Sequence, residues 1–244
     1  MIDFHSHILP GMDDGAKDTD ESLALLHLTK EQGIDGIVVT PHFYPDSESP
    51  ESFLERRANA AERLCSVIDG DCPTVYVGAE VAYFGGIGHS EMTKELTLAG
   101  THTVLIEMPF SPWSEAVVRD LFAVRDSLGL MPVVAHIERY IGMQPKGTLE
   151  RLLENDVRIQ SNSSYFTGLF TKSKALRMLA RDEIQFLGSD CHNMTTRSQT
   201  LVNALDVITR KLGREAVDYL EETTELRLAP ALTLEEYVRS SLGR

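Results

Sequence analysis

The sequence predicts an α/β fold in which a parallel sheet closes into a barrel. Three observations predict it: seven short apolar segments recur along the 244 residues, helix-like segments lie between them, and most apolar segments end in a residue type that binds metal ions. Strands that alternate with helices form parallel sheets, and the carboxyl ends of barrel strands converge on one face. An open, doubly wound sheet is the alternative architecture.

The predicted strands are short, rich in β-branched and other apolar residues, and show little alternation. Strands of a parallel sheet are buried on both faces, which is why they read as nearly continuous apolar runs. The seven predicted strands are Ile2–His5, Gly36–Thr40, Val75–Glu80, Val104–Met108, Pro132–His136, Val157–Ser161 and Ile184–Ser189.

The predicted helices are marked by leucine periodicity and by residues that begin or end helices. Ser22–Gln32 carries four leucines and is followed by Gly33, a residue type that commonly ends helices. The segment Ser49-Pro50-Glu51 supplies a cap, a proline at the first helical position and an early acid for a helix to about Ile68. The remaining predicted helices are Ser114–Leu128, Thr148–Asn155, Lys172–Arg181, Ser198–Leu212 and Thr233–Leu242.

Composition favours a globular enzyme. The formal charge of −14 opposes binding to nucleic acid phosphates and to anionic lipid headgroups. The three cysteines show no disulfide spacing, which favours a reducing compartment and therefore a cytoplasmic location. Because there is no signal-peptide pattern and no long apolar run, we expect no membrane insertion. The length is compatible with a single domain over residues 1–244.

Residue types that bind metal ions follow the predicted strands. His5 and His7 are two residues apart and therefore share a face of an extended chain, and Asp190 and His192 repeat this spacing at the last strand. Other strand ends offer His42, Glu80, Glu107, His136 and Asn162. Buried polar groups cost several kcal/mol unless they are paired or bind a metal. The pattern therefore predicts a multinuclear metal site rather than packed side chains.

Carboxylates beside neutral imidazoles indicate more than one cation. Asp14, Glu80, Glu107 and Asp190 bring about four negative charges, which two divalent ions would balance. Three ions would leave an excess of positive charge suited to an anionic substrate. Nitrogen and oxygen ligands without a thiolate suit manganese, iron, zinc or magnesium.

Two arginines follow these candidate ligands. Arg139 lies three residues beyond His136, and Arg197 lies five residues beyond His192. A guanidinium beside metal ions favours bidentate capture of phosphate oxygens. Ion pairing of an arginine with Glu138 is the alternative interpretation.

The segments DFHSHILPGMDDG, TPHF, GAE, IEM, HIERY and SDCHN resemble, in order and spacing, the bacterial manganese-dependent protein-tyrosine phosphatases of the polymerase-and-histidinol-phosphatase (PHP) superfamily. That family is associated with capsule and exopolysaccharide operons. The resemblance covers essentially the whole chain and implies a distorted seven-stranded β/α barrel with two or three metal ions. It implies that Arg139 and Arg197 bind phosphate, although Ser198 and Gln199 follow Arg197 where the family often has prolines. The implied metal ligands are His5, His7, Asp14, His42, Glu80, Glu107, His136, Asp190 and His192.

The resemblance also implies an activity, hydrolysis of phosphotyrosine on a protein, with manganese as the expected cofactor. It implies the tail of a bacterial tyrosine autokinase that regulates polysaccharide synthesis as the partner. We expect a metal-bridging hydroxide to attack phosphorus in line, while the metals and arginines spread the developing charge. Because tyrosine has a pKa of about 10, its phenolate leaves with little protonation and no dedicated general acid is required; His42 and a metal-bound water are the candidate proton donors.

Five alternatives stay open. Residues 191–198 fit the C-x5-R-[S/T] spacing of cysteine-dependent phosphatases, but they contain no glycine, and Cys191 would point away from its neighbours Asp190 and His192. An amidohydrolase also begins with HxH, but such enzymes usually carry a bridging lysine, which no strand end here offers. A phosphoesterase acting on histidinol phosphate, a nuclease and a non-catalytic regulator complete the set.

Some polar residues are interpreted as ordinary. Asp13 is assigned to a solvated loop, His27 to a structural or exposed position, and Cys65 and Cys72 to unreactive thiols. Tyr140 is assigned either to an aromatic cleft or to loop packing.

Overall fold

A computed structural model describes residues 1–241 and Gly243. Within these residues the strands are β1 Ile2–Ser6, β2 Gly36–Val39, β3 His42–Phe43, β4 Thr74–Val77, β5 Glu80–Ala82, β6 Thr103–Glu107, β7 Met131–Val134, β8 Arg158–Asn162 and β9 Phe186–Gly188. The α-helices are α1 Thr19–Glu31, α2 Pro50–Cys65, α3 Glu115–Asp126, α4 Thr148–Glu154, α5 Ser164–Thr167, α6 Lys172–Leu179, α7 Leu201–Leu212, α8 Arg214–Leu228 and α9 Leu234–Ser241.

The strands form a curled parallel sheet, and the α/β class predicted from the sequence is confirmed. Hydrogen bonding follows the orders β1-β2-β4 and β3-β5-β6-β7-β8-β9, and every pairing between these strands is parallel. The edges approach each other where the His7 amide donates to the Cys191 carbonyl (2.8 Å) and the Asp190 amide donates to the His5 carbonyl (2.9 Å). The carboxyl end of β1 therefore lies beside the segment that follows β9.

The strand count differs from the prediction of seven. The predicted strand at 36–40 corresponds to β2, and the short strand β3, which was not predicted, follows after Thr40 and Pro41. The predicted strand at 75–80 covers most of β4 and only the first residue of β5, with Gly78 and Ala79 between the two strands. Pro41 has no N–H to donate to a ladder, which is one physical reason for the first break. At the second break, the Gly78 amide still donates to the Val39 carbonyl (2.8 Å), so the chain keeps its direction between β4 and β5.

Capping residues set the helix starts. Asp18 accepts a hydrogen bond from the Glu21 amide (2.9 Å), so α1 begins three residues before the predicted Ser22. Ser49 caps α2 and Pro50 is its first residue, as predicted. The helix α8 was not predicted, although its buried residues Val217, Leu220, Thr224 and Leu228 recur at helical spacing. The final predicted helix extends to Leu242, which lies outside the described residues.

Apolar side chains on the two faces of the strands form two clusters. Val104 and Ile106 of β6 belong to the cluster that contacts the helices, whereas Leu105 between them belongs to a second cluster on the opposite face. In that second cluster Phe4 stacks on Phe186, with ring centroids 4.2 Å apart. Within the described residues, no helix combines the length and apolar character needed to cross a bilayer.

Candidate metal centre

Two histidines of the β1 end meet two carboxylates from distant strands. The Nε2 atoms of His5 and His7 lie 3.1 Å apart, and Glu80 Oε2 lies 3.2 and 3.3 Å from them. Asp190 Oδ1 lies 3.8 Å from the first and 3.4 Å from the second. Ligand atoms about 2.0–2.2 Å from a tetrahedral cation lie roughly 3.3 Å from each other. The spacing of these buried atoms is therefore that of a coordination shell.

Glu80 extends the cluster toward the next strands. Its Oε2 lies 3.1 Å from His42 Nδ1, and its Oε1 lies 2.7 Å from His136 Nε2. Glu107 adds a second carboxylate, with oxygens 3.9 Å from His42 Nδ1 and 3.8 Å from His136 Nε2. Glu80 therefore lies near the β1 histidines through Oε2 and near His136 through Oε1, and its carboxylate lies at the middle of the cluster.

Asp14 and His192 complete the cluster on the solvent side. Asp14 Oδ1 lies 3.1 Å from His192 Nε2 and 3.8 Å from His42 Nε2. The Asp14 side chain is 62% exposed, so it lies at the mouth of the site. All nine ligand residues implied by the resemblance are therefore brought together on one face, from segments 187 residues apart in sequence at the extremes (His5 to His192).

Among the residues that the structure describes, two buried nitrogens of the cluster have no hydrogen-bond partner. They are His42 Nδ1 and His192 Nε2, and each nevertheless lies 3.1 Å from a carboxylate oxygen. Such groups are costly to bury unless something else satisfies them. A divalent cation placed between the nitrogen and the oxygen satisfies both, and the donor set of imidazoles and carboxylates suits one. The residues present therefore fit a metal centre.

Burial and neighbouring charges shift the pKa values of the cluster in different directions. Burial lowers the pKa of His192 to about 4 and also lowers the pKa of His42, which keeps both imidazoles neutral and able to bind a cation. Burial and repulsion by Glu80 raise the pKa of Glu107 to about 7. Burial opposes protonation of His7, but contacts with Asp13 and Glu80 outweigh it and raise its pKa to about 10. A cation that binds His7 therefore displaces a proton.

Asp13 is part of the centre, and its assignment to a solvated loop is wrong. Its Oδ2 accepts a hydrogen bond from His7 Nδ1 (2.7 Å) and another from the His42 amide (2.9 Å), while its Oδ1 accepts from the Gly15 amide (2.9 Å). These contacts fix the His7 ring so that Nε2 faces the cluster. The sequence shows Asp13 and Asp14 side by side. It does not show that Asp13 supports His7 whereas Asp14 lies at the mouth of the site.

Other supporting residues also escaped the sequence analysis. Gln160 Oε1 accepts from the His136 amide (2.6 Å) and lies 3.4 Å from His5 Nδ1. Tyr140 is fully buried, with its hydroxyl 3.1 Å from His136 Nδ1 and its ring against Phe110 and Trp113, so the structure favours loop packing for this residue. The predicted strand Val157–Ser161 also contains Arg158 and Ser161, so the sequence did not single out Gln160.

The two arginines lie at the mouth, against the same carboxylate. Arg139 Nη2 contacts Asp190 Oδ2, and Arg197 Nη2 lies 2.9 Å from Asp190 Oδ1. Arg197 Nη1 also lies 3.1 Å from Asp14 Oδ2. Glu138 instead accepts hydrogen bonds from Ser161 and the Asn162 amide. A cavity of about 210 Å³ lined by Arg139, Asp190 and Arg197 opens beside the cluster.

Cys191 is not arranged as a nucleophile. The residue is fully buried, its Sγ lies 4.0 Å from the Asn193 carbonyl, and burial raises the pKa of the thiol to about 12. A reactive thiolate requires the opposite shift.

Aromatic side chains lie at the rim of the site. Tyr44 stacks on His42 with ring centroids 5.0 Å apart, and its side chain is partly exposed. Phe110 is 63% exposed and packs edge-on against Tyr140. An aryl group bound at the mouth would therefore meet aromatic surface.

The chain matches a known protein family over most of its length. The family described as capsular polysaccharide synthesis, CpsB/CapC, matches residues 1–225. The tyrosine-protein phosphatase YwqE of Bacillus subtilis (strain 168) is 34% identical over 238 residues, which cover 93% of this chain and 91% of the relative. The tyrosine-protein phosphatase CpsB of Streptococcus pneumoniae is 33% identical over 229 residues, covering 87% and 91%.

A solved structure gives the same grouping. A crystal structure from work on YwqE of Bacillus subtilis and CpsB of Streptococcus pneumoniae, described as unique metal-dependent tyrosine phosphatases, matches with a TM-score of 0.79 and 30% identity. The match covers 95% of this chain and 96% of that structure.

Proposed function

Because this chain belongs to the CpsB/CapC family of capsular polysaccharide synthesis, we propose that it is a metal-dependent protein-tyrosine phosphatase. The reaction is hydrolysis of the phosphate monoester of phosphotyrosine on a protein. One observation carries the proposal: imidazoles and carboxylates from distant strands converge at coordination spacing, and two arginines face the same mouth.

Three groups of side chains support two or three divalent ions. They are His5, His7 and Asp190; His42, Glu80 and Glu107, with His136 against both glutamates; and His7, Asp14, His42 and His192. We propose manganese as the ion, with iron, zinc or magnesium as alternatives that the same donors accept. When bound, such ions lower the pKa of water toward about 7 and stabilise negative charge on phosphate oxygens.

Arg139 and Arg197 are proposed to bind the phosphate. Each guanidinium presents two N–H groups in a plane, a geometry that matches two phosphate oxygens. Their position against Asp190, itself a proposed ligand, supports binding of the phosphate next to the cations. Both arginines would then stabilise charge that develops on the phosphate oxygens during in-line displacement.

The remaining contacts of the substrate concern the tyrosine ring and the leaving oxygen. Tyr44 and Phe110 are placed to contact the ring at the rim. A phenolate with a pKa of about 10 needs little protonation on leaving. Burial lowers the pKa of His42, which supports a role for His42 as a ligand over a role as proton donor.

The partner and the wider architecture are also proposals. We propose a bacterial tyrosine autokinase that regulates polysaccharide synthesis as the phosphoprotein, in a cytoplasmic setting, which the family's capsule description and the three free cysteines support. The charge of −14 makes a neutral or basic substrate segment easier to bind. We further propose that residues 1–244 form one domain, a distorted seven-stranded barrel of the PHP type, in which β2 with β3 and β4 with β5 each count as one interrupted strand.

One assay tests the proposal. The protein is chelated, and hydrolysis of a phosphotyrosine peptide, a phosphoserine peptide and histidinol phosphate is measured before and after manganese is added back. We expect activity only with metal and a preference for phosphotyrosine. Activity that resists chelation would exclude the metal mechanism, and preference for histidinol phosphate would replace the substrate. Metal binding without any turnover would support the non-catalytic alternative.

A further inference from the structure

Three side chains with metal-binding groups lie together away from the catalytic cluster. His27 belongs to α1, whereas Asp69 and Cys72 belong to the segment between α2 and β4. His27 Nε2 lies 3.0 and 3.1 Å from the two carboxylate oxygens of Asp69, and Cys72 Sγ lies 3.5 Å from Asp69 Oδ1. One ligand atom from each residue lies within 4.8 Å of the other two.

We propose that His27, Asp69 and Cys72 form a second metal site for a divalent cation of the zinc type. Zinc takes nitrogen, oxygen and sulfur ligands at about 2.0–2.3 Å in a tetrahedron, which places neighbouring ligand atoms roughly 3.3–3.6 Å apart. The observed 3.0 and 3.5 Å separations lie close to these values without any rearrangement of the backbone. Three protein ligands leave the fourth position to water or to an incoming ligand.

The donor set separates this site from the catalytic centre. A thiolate selects zinc or another thiophilic ion over manganese and magnesium, which prefer oxygen and nitrogen. The catalytic cluster is built from imidazoles and carboxylates. The two sites therefore differ in the ions that they favour, and the sulfur provides a spectroscopic label for one of them.

An ion pair between His27 and Asp69 explains only part of the arrangement. Their side chains are 35% and 49% exposed, and an exposed ion pair contributes little to stability. Cys72 is half-buried and packs against the main apolar cluster, so its sulfur is held in place beside the same carboxylate. An imidazole and a thiol therefore both lie against the Asp69 carboxylate, and a metal site requires such a meeting of donor groups.

The location separates this site from the catalytic face. The segment 66–73 leads into the first residue of β4, so it lies at the amino ends of the strands, opposite the catalytic face. His27 lies in the second half of α1, which approaches the same end. A cation bound there links α1 to the connection between α2 and β4 and stabilises the folded state by mass action.

Cobalt(II) added to the manganese-loaded enzyme tests the proposal. We expect a thiolate-to-cobalt charge-transfer absorption with the intensity of one cobalt–sulfur bond per protein, because among the metal-binding groups of the described residues this one alone contains a cysteine. Cys72→Ser should abolish the band, whereas Cys65→Ser, which removes the other half-buried thiol, should leave it intact. His27→Gln should raise the cobalt concentration needed for half-saturation at least tenfold.

Two results would overturn the proposal: a wild-type protein that shows no charge-transfer band, or a band that survives in Cys72→Ser. A second measurement covers the case in which that variant does not fold. Zinc should slow alkylation of Cys72 in the wild-type enzyme at least tenfold relative to Cys65, as read by mass spectrometry of peptides. Equal slowing of both thiols, or no slowing, would count against the site.

Discussion

Replacement of Asp13 by asparagine tests how the metal centre is held. Asp13 Oδ2 accepts from both His7 Nδ1 and the His42 amide, and Oδ1 accepts from the Gly15 amide. An asparagine has one acceptor oxygen, so its NH₂ group must face either the Gly15 amide or the two donors on the other side. In either orientation a buried donor loses its acceptor, and His7 loses the charge that orients its ring.

The expected loss of manganese affinity follows from these contacts. A hydrogen bond to a charged group contributes about 1.5–3 kcal/mol, which corresponds to roughly a 10- to 100-fold change in an equilibrium constant. Loss of an outer partner of a metal-binding histidine costs metal affinity or activity by about the same 10–100-fold. We therefore expect the manganese concentration for half-maximal phosphatase activity to rise by about one to two orders of magnitude in Asp13→Asn.

The assay is a manganese titration of the chelated enzyme with a phosphotyrosine peptide as substrate. Asp20→Asn, an exposed aspartate of α1, is the matched control and should behave as wild type. A half-maximal manganese concentration within twofold of wild type in Asp13→Asn would refute the reasoning. So would a variant with unchanged manganese dependence that has lost turnover alone, because Asp13 would then not act through His7.

Four further predictions concern other parts of the site. Cys191→Ser should retain phosphatase activity within about threefold of wild type. Complete loss of activity in this variant would support the thiolate mechanism instead. Arg139→Lys should lower kcat/KM on a phosphotyrosine peptide roughly 10- to 100-fold through loss of a two-point phosphate contact, and unchanged kinetics would exclude that contact. Gly188→Ala places a Cβ 2.4 Å from His5 Cβ and should lower the free energy of unfolding by about 1–3 kcal/mol in thermal melts, whereas an unchanged Tm would contradict the close approach. Burial raises the pKa of Glu138 from 4.5 to about 7, so the folded state binds this proton more tightly than the unfolded state does. As pH rises from 4.5 to 7, the metal-free wild type should therefore lose stability relative to Glu138→Gln. A free energy of unfolding that changes equally with pH in both proteins would contradict the shift.

Much of the fold could be predicted because its signals are local. A strand buried on both faces is largely apolar, which located segments that overlap β6 and β7, with ends shifted by one or two residues. A capping serine followed by proline marked the start of α2. Helix α8 was missed because its charged residues obscured a helical pattern that only packing against the sheet makes decisive.

The chemistry of the site was readable for a similar reason. Imidazoles and carboxylates at strand ends keep their identity whatever the fold, and parallel strands bring their carboxyl ends to one face. The supporting residues were not readable in this way. Asp13 and Gln160 each contact a histidine through atoms that a different loop path or strand register would have turned elsewhere.

By itself, then, the sequence determined the class of fold, the face on which ligands gather and the donor types available there, because these depend on local periodicity and on side-chain chemistry. Only the tertiary structure decided that Glu80 lies at the middle of the cluster, that Asp13 supports His7, and that both arginines meet Asp190. The physical reason is that coordination and hydrogen bonding require donors placed to within a few tenths of an ångström. That placement results from contacts between segments that lie far apart in the chain.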